Sequence, residues 1–146
     1  MKIISINQLE SSNEIIDFIK EGLKEFEFEY NSCYDSDLKN LKKFYTLPKA
    51  NLLLLKDNKK IIGTIAVVYK KNTAVLQRFY ISKQYRDKGL GRLLYKEMEK
   101  AIIDRACKKI ILNTTIRNKE AVMFFNKEGF KLVRKKGIDL FFEKEF

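Results

Sequence analysis

The chain has no histidine and no tryptophan, a single proline and two cysteines. Without histidine there is no imidazole base, no Ser-His-Asp triad and no His-containing zinc cluster. Cys33 and Cys107 stand far apart with no CxxC pair, so each reads as a reduced, buried thiol and no metal is expected. No apolar run is long enough to span a bilayer, and the apolar start at residues 1–6 is too short for the core of a signal peptide. The expectation is a cytoplasmic protein with no membrane partner.

Acidic residues are in the minority, 19 against 30 lysines and arginines, for a net charge of +11. Such an excess invites a nucleic-acid reading, but its distribution argues against one. Residues 1–47 carry nine acids and six bases, and the remainder twenty-four bases and ten acids. Lysines outnumber arginines 24 to 6 and are scattered, with no arginine-rich and aromatic stripe. No nucleic-acid partner is expected.

What is present is the balance of a globular domain, 45% apolar and 34% charged. A chain of 146 residues reads as a single domain, 1–146, able to bury roughly two-thirds of its unfolded surface. Residues 2–6 alternate as a first strand. Ser11-Ser12-Asn13-Glu14 offers a capping box for a helix over 12–26, whose Ile15, Ile19, Leu23 and Phe26 recur at helical spacing. A second helix is expected over 34–45, stopped before Pro48. Three strands, 51–55, 60–69 and 73–81, follow as an antiparallel meander with Asp57-Asn58 and Lys71-Asn72 at the corners. A helix over 90–106 comes next, with Leu90, Leu94, Met98, Ala101 and Ile102 inward and Lys96, Glu97, Glu99 and Lys100 mostly in water. The strand 109–113 should lie parallel to 73–81 by the geometry of strand-helix-strand units. Asn118 can cap a further helix that Gly129 closes, and 130–134 and 138–142 form a closing hairpin around Lys136-Gly137.

Arg86-Asp87-Lys88-Gly89-Leu90-Gly91 joins the strand 73–81 to the helix 90–106. The first N–H groups of a helix lack internal partners and carry the positive end of its dipole, so they suit a phosphate. Glycines at 89 and 91 keep Cβ atoms away from such an anion. A Walker loop would need Lys then Ser or Thr after its last glycine, where Arg92-Leu93 stands. A dinucleotide fingerprint would need Gly or Ala at 94, which is Leu.

The remaining pattern, [QR]-x-x-G-x-[GA] on Arg86, Gly89 and Gly91, resembles the acyl-CoA-binding turn of the GNAT N-acetyltransferase superfamily. The element order β-α-α-β-β-β-α-β-α-β-β extends the resemblance over nearly the whole chain. So do Gly63, Arg78-Phe79-Tyr80-Ile81, Leu112-Asn113-Thr114, Asn118 with Ala121, and Gly129-Phe130. The resemblance implies an α/β GNAT fold with a mixed, mostly antiparallel sheet and a splayed parallel strand pair that holds acyl-CoA. It further implies that backbone groups of Phe79, Tyr80 and Ile81 bind the pantetheine arm as an added strand. The loop Arg86, Asp87, Lys88, Gly89, Leu90, Gly91 and Arg92 would hold the pyrophosphate, and Asn118 the pantetheine or adenine end. Acetyl-CoA would be a co-substrate, its acetyl group passing directly to a primary amine of a small molecule or peptide.

Many members place at position 125 a tyrosine that protonates the leaving thiolate; here it is Phe125, expected to pack beside the thioester. Tyr80 is the alternative proton donor. The acids Glu21, Glu25, Glu27, Glu29, Asp35 and Asp37 face a single base, Lys24, in the helix-loop-helix region, and are expected to draw a cationic amine, with Glu27 or Glu29 as proton acceptor. The alternative reading is a catalytically silent acyl-CoA-binding sensor. A homodimer through strand edges near 138–146 is also expected.

Overall fold

The computed structural model describes residues 1–8, 12–28, 31 and 35–146. One sheet of seven strands runs through it in the order β1-β2-β3-β4-β5-β7-β6. The strands are β1 (Lys2–Ser5), β2 (Ala50–Asp57), β3 (Lys60–Lys70), β4 (Thr73–Ile81), β5 (Lys109–Thr115), β6 (Lys131–Lys136) and β7 (Asp139–Glu145). The helices are α1 (Asn13–Glu25), α2 (Leu41–Tyr45), α3 (Leu90–Asp104) and α4 (Lys119–Lys127). This is the α/β GNAT architecture implied by the sequence resemblance. No helix of the described residues is long and apolar enough to cross a membrane.

The apolar run Leu52-Leu53-Leu54-Leu55 in β2 shows why the sheet has helices on both faces. Leu52 and Leu54 pack with Ile15, Phe18 and Ile19 of α1 and Leu41 of α2, whereas Leu55 joins Leu94, Met98 and Ile102 of α3. Alternate residues of a strand point to opposite faces, so a strand covered on both sides reads as continuously apolar. Phe79 and Tyr80 of β4 divide in the same way, toward the α3 and α1 sides respectively.

Every neighbouring strand pair is antiparallel except β4 and β5. Those two pair in parallel only through Thr73↔Lys109, Ala74↔Ile110 and Val75↔Ile111, and beyond Val75 they part. Arg78 marks a bulge in β4: Tyr80 pairs with Thr64 and Gln77 with Ala66, leaving two β4 residues opposite Ile65. Its φ is +53°, in the left-handed region. The Thr64 hydroxyl donates to the Arg78 carbonyl at 2.8 Å and fixes the kink.

Several boundaries differ from expectation. The helix expected over 34–45 is a 3-10 turn, Ser36–Leu38, and the five-residue α2, separated by Asn40 at φ −142°; Tyr34 lies outside the described residues. The carboxylates of Asp35 and Asp37 reach Arg78, and that tertiary demand overrides helical propensity. Ser12 occupies the N-cap of α1 but makes no side-chain cap bond, and Ser11 lies outside the described residues. Helix α3 ends at Asp104, with Ala106 in the left-handed cap position at φ +58°. Gly129, at φ +91°, closes α4 as expected, with Phe130 N donating to Phe125 O and Gly129 N to Asn126 O.

The sheet edge is β6, not the 138–146 strand, because β7 inserts between β5 and β6. An antiparallel β6–β6 contact between two copies would oppose the cations of Lys-Leu-Val-Arg-Lys-Lys, and lysine on an edge strand guards against such pairing. Glu99 is a second correction. Expected in water, it is 8% exposed and accepts from Tyr95 Oη (2.5 Å), Lys144 Nζ (2.7 Å) and Lys96 Nζ (3.2 Å), tying α3 to β7. Those partners supply the hydrogen bonds that a buried carboxylate requires.

Candidate active site

The parting of β4 and β5 opens a cleft of about 770 Å³. Its walls come from β4 (Arg78, Phe79, Tyr80), β5 (Leu112 to Thr115), α1 (Ile19, Gly22, Leu23) and the start of α4 (Asn118, Ala121, Phe125). Phe125 is 4% exposed and packs on Phe79, Phe124, Phe130 and Phe142, so it is held by the core while still lining the cleft. Asn118 also lines it, and its Oδ1 accepts from Ala121 N at 3.0 Å, capping α4 as expected.

The glycine loop lies at the end of β4. Asp87 (φ +60°) and Gly89 (φ +76°) are left-handed, and Gly89 is the N-cap of α3. A Cβ built on Gly89 meets nothing within 4 Å, so the space beside the turn is open. On Gly91 a Cβ would face Ile81 and Phe79 of β4 at 3.6 and 3.7 Å. Successive N–H groups in such a turn, followed by a fifteen-residue helix, form a concave anion cradle.

Arg86 has a different task from a phosphate ligand. Its guanidinium donates to both Glu25 oxygens, NH1 to Oε2 at 2.6 Å and NH2 to Oε1 at 2.8 Å, and its Nε donates to the Ile81 carbonyl at 2.9 Å. It therefore joins α1, the end of β4 and the loop. Because Ser82 N donates to Ile62 O, ladder alternation turns the backbone groups of Ile81 away from β3. Arg86 takes the Ile81 carbonyl, and the Ile81 N–H is directed to the opened side.

Tyr80 is locked in the same network. Its hydroxyl donates to Glu25 Oε1 at 2.7 Å, its ring lies edge to face with Phe18 at 5.1 Å, and the Arg86 guanidinium stands 5.2 Å from its centroid. A Cβ on Gly22 would lie 3.0 to 3.2 Å from that ring, so a larger residue there would push α1 and Tyr80 apart by a few tenths of an ångström. Burial and the Glu25 carboxylate push the Tyr80 hydroxyl up to about 12. Its proton has a partner other than a leaving thiolate. The remaining loop cations are exposed: Lys88 lies over the Tyr85 ring at 5.6 Å, and Arg92 Nε donates to Glu128 at 2.9 Å.

The acidic stretch is also reassigned. Asp35 and Asp37 bind the Arg78 guanidinium at 2.8 and 2.7 Å, Asp37 further accepts from Tyr45 Oη at 2.5 Å, and Glu25 is held by Arg86. Glu27 is 80% exposed and 3.8 Å from Arg117, whose guanidinium also donates to Phe26 O and lies over Phe28. Glu29 and Cys33 lie outside the described residues. The Arg78 and Arg86 networks were not anticipated. The signal available was two arginines, one within β4 and one just after it, each able to neutralise acids that the sequence places far away.

The Glu25 carboxyl is held below the usual range by the Arg86 hydrogen bonds, against the opposing effect of burial. A lowered carboxylate contributes stability that is present above its unfolded value, near 4.5, and lost as pH falls through the folded value. E25Q should lower the melting temperature at neutral pH and flatten the acid limb below about pH 4.5. Thermal unfolding as a function of pH checks this; parallel acid limbs in the two proteins would contradict it.

The comparisons agree with this geometry. The model of the acetyltransferase (GNAT) family matches residues 16–130, and the chain belongs to that family. A spermidine N(1)-acetyltransferase of Thermoplasma acidophilum is 30% identical over 86 residues, 59% of this chain and 53% of that protein. The chain spans about half the length of the curated relatives it matches, 50%, 53% and 58%. A GNAT-family acetyltransferase from Staphylococcus aureus Mu50 superposes with a TM-score of 0.86 at 22% identity, covering 99% of this chain and 98% of its own. PaiA N-acetyltransferase of Thermoplasma acidophilum, solved in complex with coenzyme A, gives 0.76 at 23% identity over 100% of both chains.

Proposed function

We propose that the protein is an acetyl-CoA-dependent N-acetyltransferase acting on a primary amine. The carrying observation is the cleft that opens where β4 and β5 part, together with the glycine turn that follows β4 and opens α3. Family membership and the coenzyme A complex of a structural relative support the choice of donor.

In this reading the pyrophosphate sits on the N–H groups of 87–92, that of Arg86 being taken by Lys83 O. The pantetheine follows the open side of β4 past Phe79, Tyr80 and Ile81, and Asn118 and Phe125 bound it from α4. Arg86 acts as a positioning residue, since its side chain is committed to Glu25 and Ile81. A neutral amine attacks the acetyl carbonyl carbon, and the Ile81 N–H stabilises the oxyanion that forms. The C–S bond breaks, and the proton lost by nitrogen passes through water to the thiolate, giving an amide and free CoA thiol. A thiol of ordinary pKa, roughly 8.5, leaves without a strong acid, which suits a cleft with Phe125 at the tyrosine position and a Tyr80 proton engaged by Glu25.

Phe125 also favours a second reading, a silent acyl-CoA sensor. Thiol release from acetyl-CoA, followed colorimetrically against cationic, neutral and anionic amines, separates the two. Turnover above hydrolysis establishes the transferase; acetyl-CoA binding without turnover across the panel favours the sensor.

A further inference from the structure

Among the described residues, one carboxylate lining the cleft has no side-chain partner. Asp139 opens β7, pairs by backbone with Thr115 of β5 and lines the cleft beside Ile138, half-buried. Among the described residues no side chain hydrogen-bonds or ion-pairs with it. The other acids nearby are ion-paired: Asp35, which also lines the cleft, and Asp37 with Arg78, and Glu25, behind Tyr80, with Arg86. Two carboxylates share the single Arg78 guanidinium, so that network carries one net negative charge, and Asp139 adds a second to the lining of the same cleft.

We infer that Asp139 holds the charged end of the acceptor, so that the preferred acceptor is an aliphatic amine bearing a second cationic group. This rests on the acetyl-transfer reading above. The reacting nitrogen must be neutral to attack, so Asp139 serves the other end of the molecule, where a permanent positive charge meets a carboxylate. The cleft wall suits the connecting methylenes, because Phe26, Leu23 and Ile138 line it with apolar surface. Asp139 is thus a specificity-determining residue outside the acidic stretch 21–37, carried by β7.

The test uses diaminobutane, butylamine and γ-aminobutyrate as acceptors for the wild type, D139N and D139E. The wild type should prefer diaminobutane over butylamine by at least about tenfold in kcat/KM, roughly the effect of one charge-assisted hydrogen bond, and should reject γ-aminobutyrate. D139N should lose that preference through a rise in KM for diaminobutane about tenfold beyond any change for butylamine, with KM for acetyl-CoA unchanged, and D139E should retain part of it. An undiminished preference in D139N overturns the inference, as does an equal loss on both amines, which is the mark of a structural role. If the wild type acetylates no amine, the acetyl-transfer reading fails. Calorimetric titration of CoA-loaded protein with diaminobutane then decides the inference alone: binding weakened about tenfold in D139N supports it, and equal or undetectable binding in both overturns it.

Discussion

Replacing Gly91 by aspartate is expected to raise the dissociation constant for acetyl-CoA by at least about a hundredfold while leaving the protein folded. Gly91 is the second residue of α3, two positions after the Gly89 cap. A carboxylate in the first turn of a helix interacts favourably with its dipole, by about 0.3–1 kcal/mol, so the helix itself is not weakened. The Cβ would have ordinary contact distances of 3.6 Å to Ile81 and 3.7 Å to Phe79, so no backbone shift is forced. What changes is the cradle: a fixed negative charge takes up the N–H groups and repels the pyrophosphate. Isothermal titration with acetyl-CoA, alongside thermal unfolding, separates the two effects. Near-wild-type affinity in a folded G91D would remove the loop from the binding site.

Arg78→Ala is expected to give the largest loss of stability, about 3–5 kcal/mol, the usual cost of stripping a buried charge from its partners. The Arg78 side chain is 12% exposed and those of Asp35 and Asp37 are 9% and 6%. Its Nε and NH2 both donate to Asp37, and NH2 also reaches Asp35, so its removal leaves two buried carboxylates without a counter-charge. The same arginine occupies a left-handed backbone position at φ +53°, where glycine is the relaxed choice. Arg78→Gly should therefore cost about 1 kcal/mol less than Arg78→Ala, through relief of strain alone. A triple variant, Arg78→Met with Asp35→Asn and Asp37→Asn, should recover at least half of the loss, since no buried charge then remains unpaired. Denaturant unfolding checks all three. A cost below about 1 kcal/mol for Arg78→Ala would show the network to be an incidental surface cluster.

The same residues explain how far the sequence could be read. Elements carried by local chemistry were legible: β3 and β4 from their β-branched runs and turn dipeptides, the Asn118 cap, the Gly129 stop and the glycine turn before α3. The cleft was legible only through resemblance, because no periodicity announces that β4 and β5 stop pairing after Val75 and Ile111 or that β4 bulges at Arg78. Long-range charge pairing was not legible. Glu25 and Arg86 are 61 positions apart and Asp35 and Arg78 are 43, so their carboxylates looked like a free acidic lobe. Asp139 reaches the cleft only because β7 inserts beside β5, a pairing that no local pattern specifies.

The central claim is that acyl-CoA binds along the open side of β4 with its pyrophosphate on the glycine turn. Amide hydrogen exchange with and without acetyl-CoA tests it most directly. The account predicts protection concentrated at residues 79–81 and 86–92, with the distant edge strand β6 unchanged. Saturating acetyl-CoA that leaves both stretches unprotected, or that protects another surface instead, would contradict it.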